Sequence, residues 1–245
     1  STPIKSSAAS DVYKRQVHTY SQEEAYVWPE EPVLREQLEW FQDQKLALMV
    51  HWGVYNQLGM VASWALSDED AEWSRKTVDW TDDGEVFKRQ YRALNRAFDP
   101  VAFQPEEWAK MAKKCGFRYL ILTTKHHDGF CLWDTAYTEY KTTAEDCPFH
   151  THKYADIVRA MFDAFRKEKL GIGVYYSKAD WHCPDYWEKE KVFTGKTTRN
   201  PTYNPKENPE AWERFRAFTR DQILELGKQY GSCLLYTSDA ADDLI

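Results

Sequence analysis

The sequence predicts an α/β fold in which parallel strands, arranged in a barrel or an open sheet, alternate with helices. Three apolar runs at residues 46–50, 119–124 and 170–174 carry this prediction. Uninterrupted apolar runs of this length are typical of strands that are buried on both faces. Helical patterns separate the runs, and the order helix-strand-helix-strand implies right-handed crossovers between parallel strands.

The helices are predicted from apolar residues that recur on one face. Pro105 suits the first turn of a helix that stops at Gly116, directly before the second strand. A second helix is predicted over residues 154–169, and a third from Pro209 toward Gly231. Each helix therefore has one apolar face that can cover the sheet.

A long segment, residues 54–97, separates the first strand from the first of these helices. It contains Trp64, Trp73 and Trp80 among acidic residues. Long excursions after the carboxyl end of a strand usually build the rim of an active site. We expect this segment to border any pocket at that edge of the sheet.

Hydrogen-bonding and aromatic side chains follow all three predicted strands. His51 follows the first strand, the block Lys125–Phe130 with adjacent His126 and His127 follows the second, and Tyr175 lies at the end of the third. Ligands bind at the carboxyl edge of parallel strands, so these side chains should converge there on a polar ligand.

Composition excludes some partners and weakly favours one. The chain carries a net charge of −7 and has no basic block, which argues against nucleic acid or an anionic membrane as partner. Aromatic residues make up 16% of the chain, with 11 tryptophans. Aromatic side chains stack on sugar rings but also fill hydrophobic cores, so this composition supports a carbohydrate-related function only weakly. No apolar run approaches the roughly 18 residues that span a bilayer.

The cysteines indicate neither a disulfide framework nor a zinc site. Of the five cysteines, Cys233 lies in a C-terminal tail that is assigned below as non-native, and Cys115, Cys131, Cys147 and Cys183 form no CxxC pair. We interpret them as free thiols or small buried apolar residues, while a single disulfide remains open.

The two ends of the chain are predicted to be non-native. DNA that encodes residues 11–16 can be the reverse complement, shifted by one base, of DNA that encodes residues 233–238, and the relation continues outward on both sides. This inverted repeat resembles the transposase adapter of sequencing libraries. We therefore assign 1–16 and 233–245 as adapter-derived tails and 17–232 as the native insert.

Several motifs together carry a family resemblance. The series His51-Trp52-Gly53, Glu72-Trp73, Lys125 to Phe130, Tyr175-Tyr176-Ser177 and Asp180-Trp181 resembles the α-L-fucosidases, retaining enzymes of glycoside hydrolase family twenty-nine. The resemblance implies a truncated (β/α)8-type (TIM-like) barrel, with the first three strands and part of the fourth unit in residues 17–232. These residues would be the N-terminal half of the catalytic barrel, and a β-sandwich domain would follow it.

The resemblance also implies the site residues and the substrate. It assigns fucose-binding roles to five residues, namely His51, Glu72, His126, His127 and Tyr175. Trp64 and Trp73 would supply aromatic walls. The substrate would be a fucosylated glycan, with no cofactor and no metal, and the protein would be periplasmic or secreted. Neutral imidazoles can form hydrogen bonds with sugar hydroxyls, because each ring offers one donor and one acceptor.

No catalytic residue is assigned within this chain. Retaining hydrolysis needs two carboxyl groups about 5 Å apart. The resemblance places the nucleophilic Asp at the end of the fourth strand, beyond Ser232, and the acid/base later still. Asp128 and Asp180 are interpreted as turn or supporting residues. The chain is therefore expected to be inactive by itself.

Two other classes of function remain open. A metal-dependent hydrolase could use imidazoles from six histidines, namely His51, His126, His127, His150, His152 and His182, although no H-E-x-x-H spacing is present. A non-catalytic carbohydrate-binding module would explain the tryptophans, but it predicts exposed aromatics without a polar pocket at the strand ends.

Overall fold

The computed structural model describes residues 27–69, 72–231 and 235–237, and the chain divides into two compact units, 1–43 and 44–245. Most of the described part of the first unit is helix α1, Pro32–Gln44. The Glu31 carboxylate accepts hydrogen bonds from the backbone N–H groups of Val33 and Leu34 and so caps its first turn. This helix was not predicted from the sequence.

The second unit is built on a sheet of four parallel strands in the order β1-β2-β3-β4. The strands are β1 (Ala47–Val50), β2 (Tyr119–Lys125), β3 (Gly171–Tyr176) and β4 (Leu235–Thr237). Met49 pairs with Ile121, and Ile121 pairs with Gly173. The prediction that the first three strands are parallel neighbours is thus confirmed.

Within the described residues, four α-helices connect or follow these strands. They are α2 (Gly84–Arg92), α3 (Pro105–Lys114), α4 (Ile157–Lys167) and α5 (Pro209–Tyr230). Helix α4 begins later than predicted because the Asp156 side chain accepts from the Arg159 N–H and caps it. Helix α2 lies within the long segment after β1, which otherwise folds into short 3-10 helices.

The number of strands differs from the prediction. Residues 235–237 form β4 beside β3, although 233–245 was assigned to a tail and only three strands were expected. The unpaired edge of β3 explains this, because its backbone groups can pair with any extended segment regardless of side chains. The tail at 1–16 and the rest of 233–245 lie outside the described residues.

Side chains of β3 divide between the two faces of the sheet as expected from strand alternation. Ile172 and Val174 are buried in the hydrophobic core, and β3 contacts α4. Tyr175 points the other way, toward a cavity that it shares with His51 and His126. This face of the sheet therefore positions the candidate site.

Candidate active site

A cavity of about 290 Å³ lies at the carboxyl edge of the sheet. His51 directly follows β1, His126 directly follows β2, and Tyr175 belongs to β3. The segment after β1 closes one side of the cavity. The full lining comprises His51, Tyr55, Asn56, Met60, Val61, Ala62, Trp64, His126 and Tyr175.

The rings of His51, His126 and Tyr175 form a close cluster. Ring centroids of His51 and His126 are 5.8 Å apart, and those of His51 and Tyr175 are 5.0 Å apart. The rings of His126 and Tyr175 are nearly parallel, with an interplanar angle of 8°. The predicted convergence of these three residues is confirmed, and a single sugar ring could contact both imidazoles.

The other predicted site residues occupy different places. Trp64 lines the cavity, with its ring 5.6 Å from that of His126. His127 is fully buried between Trp64 and Trp181 and is not among the lining residues. Trp73 also does not line it, and its side chain is 56% exposed. Glu72 begins a 3-10 helix, and its side chain lies outside what the structure describes.

Several residues that shape the cavity were not predicted from the sequence. Tyr55 packs against Gly53, where a Cβ atom would lie only 2.6 Å from the Tyr55 ring. The glycine of the His-Trp-Gly motif was a signal for this close approach. Ser63 and Thr123 form hydrogen bonds with His126 and His51. Nothing in the sequence pattern distinguishes those two hydroxyls from others.

A buried ion pair lies directly beside the two adjacent histidines. Lys125 donates to the Asp180 carboxylate at 2.7 Å and to the Tyr176 hydroxyl at 3.1 Å. The Tyr176 hydroxyl in turn donates to Gln222 on α5 at 2.7 Å. This network ties the ends of β2 and β3 to a helix and fixes the residue that precedes His126. Asp180 thus holds Lys125 in place, in line with its interpretation as a turn or supporting residue.

Asp128 belongs to the turn that follows the histidines. Its carboxylate accepts from the Tyr91 hydroxyl at 2.9 Å and from the Phe130 N–H at 3.1 Å. Burial raises the pKa of Asp128 to about 6. Gly129 has a φ of 81°, and a Cβ atom there would lie 2.5 Å from an Asp180 oxygen, so the turn requires glycine.

Burial should make the His126 imidazole a neutral ring at ordinary pH. Desolvation lowers the pKa of His126 well below its usual value, and His127 and His51 add to the effect. Below about pH 6.5 the unfolded chain binds a proton at this residue, whereas the folded chain does not. The free energy of unfolding therefore decreases as the pH falls through this range.

We therefore expect the destabilisation caused by His126→Asn to become smaller in acid. Between about pH 6 and the lowered pKa of the folded chain, it should shrink by up to about 1.4 kcal/mol per pH unit, because only the wild type has an imidazole that must lose its proton on folding. Urea unfolding of both chains at several pH values measures the difference. A difference that stays constant or grows in acid would contradict the expectation.

The remaining described histidines lie apart from the cavity. His150 Nδ1 is 2.7 Å from the Cys147 carbonyl oxygen, His152 stacks on Phe149, and His182 stacks on Tyr140. In the described ranges, no group of three or more His, Cys, Asp or Glu residues is arranged to hold a metal ion. The six histidines of the metal-hydrolase alternative therefore do not form one cluster.

No helix among the described residues combines the length and the hydropathy that a bilayer span requires.

Comparisons with known proteins point to one family. The family model described as alpha-L-fucosidase matches residues 13–243. Tissue α-L-fucosidase of Rattus norvegicus is 29% identical over 189 residues, which are 77% of this chain and 39% of the relative. The chain thus spans about two fifths of the length of this curated relative.

Solved structures of bacterial α-L-fucosidases resemble the fold. The trapped covalent intermediate from Bacteroides thetaiotaomicron is 27% identical with a TM-score of 0.61, and the match covers 89% of this chain and 43% of that one. The enzyme from Lactobacillus casei in complex with α-L-fucose product is 30% identical with a TM-score of 0.60, over 83% of this chain and 61% of that one.

Proposed function

Since the chain belongs to the α-L-fucosidase family, we propose that it is the N-terminal part of the catalytic domain of a retaining enzyme that hydrolyses terminal α-L-fucose from glycans. The parallel sheet would be the first part of a truncated (β/α)8-type barrel, with residues 17–232 as its native portion. A covalent intermediate has been trapped in the Bacteroides thetaiotaomicron relative, which supports a retaining mechanism.

The single observation that carries this proposal is the ring cluster at the carboxyl edge of the sheet. His51, His126 and Tyr175 bring hydrogen-bonding groups to one cavity, and Trp64 forms an apolar wall beside them. Fucose has the matching chemistry, because it presents ring hydroxyls and one methyl group. We propose that the three polar residues bind the hydroxyls while Trp64 covers the methyl group.

The proposal extends to Glu72, His127 and Trp73 on the strength of the family resemblance. His127 lies directly beside His126, with ring centroids 4.8 Å apart. Glu72 and Trp73 begin the same 3-10 helix in the segment after β1. We also propose a periplasmic or secreted location, in line with a glycan substrate.

Free L-fucose should bind this chain, and His126→Ala should weaken binding about tenfold. The estimate corresponds to one lost hydrogen bond from a buried group. Titration of L-fucose followed by NMR shifts measures it, with His150→Ala as a matched control outside the cavity. Equal affinity of the two variants, or no binding by the wild type, would refute the proposed site.

A further inference from the structure

We infer that Ser63 and Thr123 are positioning residues that fix the tautomers of His126 and His51, so that each ring carries its hydrogen on Nε2 and His126 presents that donor to the cavity. This inference deepens the proposed function, because it rests on the cavity being the fucose site. Neither hydroxyl contacts the sugar in this assignment. Each acts through the ring to which it is hydrogen-bonded.

The evidence for His126 is its contact with Ser63. Ser63 Oγ lies 2.5 Å from His126 Nδ1, and the two residues are 0% and 3% exposed. Among the described residues, Nδ1 is the hydrogen-bond partner of this hydroxyl and no second one is present. If Nδ1 carried the proton, the Ser63 hydroxyl hydrogen would be buried without an acceptor, which is costly. Ser63 therefore donates, and the neutral ring carries its hydrogen on Nε2.

The same argument applies to His51. Thr123 Oγ1 lies 2.8 Å from His51 Nδ1, and Thr123 is fully buried. The ring nitrogen is the acceptor that the structure offers to this hydroxyl within the described part of the chain. Thr123 therefore donates to Nδ1, and His51 also becomes an Nε2–H tautomer.

His127 provides an internal contrast. Its Nδ1 lies 3.0 Å from the backbone carbonyl oxygen of Ala179, which can only accept a hydrogen bond. His127 therefore keeps its hydrogen on Nδ1. Adjacent histidines on the same strand end thus differ in tautomer because one Nδ1 contacts a hydroxyl and the other a carbonyl.

The consequence is a fixed hydrogen-bond polarity on one wall of the cavity. Because Nδ1 of His126 contacts a buried hydroxyl, the ring edge that carries Nε2 is the one that faces the cavity lined by His126. The Nε2–H donor of His126 then requires an oxygen acceptor on the ligand. Burial also lowers the pKa of His126, so the ring stays neutral and the single tautomer persists. The polarity is therefore set before the sugar binds.

The decisive measurement is the tautomer itself. In the full chain labelled with ¹⁵N-histidine, long-range ¹H–¹⁵N spectra distinguish a ring nitrogen that carries hydrogen from one that does not. We expect Nε2–H for His51 and His126 and Nδ1–H for His127. An Nδ1–H signal for either His51 or His126 in the unaltered chain would overturn the inference, whatever the chain binds.

Variants separate positioning from structural support. Ser63→Ala should give His126 a mixture of tautomers and weaken L-fucose binding about fivefold to tenfold. Ser63→Thr keeps the hydroxyl and should retain the single tautomer and the wild-type affinity. Thr123→Val should do the same for His51. Thr124→Val is the matched control, since the neighbouring hydroxyl donates to the Tyr175 carbonyl oxygen instead of to a histidine.

The outcomes distinguish this inference from the proposed function. Expected tautomers without fucose binding in any chain would refute the proposed function and leave the tautomer assignment intact. If Ser63→Ala binds fucose with unchanged affinity and shows a pure Nε2–H tautomer, the positioning role of Ser63 is refuted, and the proposed function is not. If Ser63→Ala does not fold, the spectra of the wild type and of Ser63→Thr still decide the assignment.

Discussion

Replacing Lys125 with methionine should lower the free energy of unfolding by about 3 to 5 kcal/mol. Lys125 and Asp180 are 0% and 1% exposed, and methionine would leave the carboxylate buried without its cation. Burial alone would lower the pKa of Lys125, but the Asp180 carboxylate and the Tyr176 hydroxyl more than offset this and raise it. The ammonium group is therefore charged in the folded chain, and its partner depends on it.

Urea unfolding of the wild type and Lys125→Met measures this cost. Lys110→Met is the matched control, because Lys110 forms an exposed ion pair with Glu107 and such pairs contribute about 0 to 1 kcal/mol. Comparable losses in the two variants would show that the buried pair has no special role. We also expect Lys125→Met to disturb the NMR signals of His126 and His127, since Lys125 directly precedes them.

The sequence predicted those parts of the fold that hydrophobic periodicity controls. Strands β1 to β3 are continuous apolar runs, and α3 to α5 have one apolar face each, so their existence followed from pattern alone. Helix α1 was missed because it buries no apolar face: Gln44 is the one buried residue among its thirteen. Strand β4 was missed because its pairing depends on the free edge of β3 and on no pattern in residues 235–237.

The candidate site shows the same division. His51, His126 and Tyr175 could be predicted, because each follows or ends an apolar strand and the carboxyl edges of parallel strands meet. The first of these strands, β1, is only partly buried, contrary to the expectation from its apolar run. Ser63 could not, because its contact with His126 joins residues 63 positions apart through an irregular segment. The burial of His127 depends on packing between two tryptophans that lie far apart in the sequence, Trp64 and Trp181. Contacts made by irregular backbone leave no periodic signal.

The chain as given should show no turnover of an aryl α-L-fucoside above the buffer rate. Retaining hydrolysis needs a nucleophilic carboxylate and an acid/base carboxyl group about 5 Å apart. None of the residues that line the described cavity is Asp or Glu. The buried carboxylates nearby are already engaged, Asp128 with Tyr91 and Phe130, and Asp180 with Lys125. Neither is therefore placed to attack a sugar held by His126.

Assays of the purified chain should be paired with a longer form of the same gene that continues beyond Ser232. In that form, a strand that follows Gly231 and ends in Asp should supply the nucleophile, and turnover should appear. The aspartates at 239, 242 and 243 should not be able to replace it, since they lie in the segment assigned to the adapter. Fucosidase activity of the short chain that His126→Ala abolishes would refute this expectation, because it would place a complete carboxylate pair within the 245 residues. An inactive longer form would refute the proposed function instead.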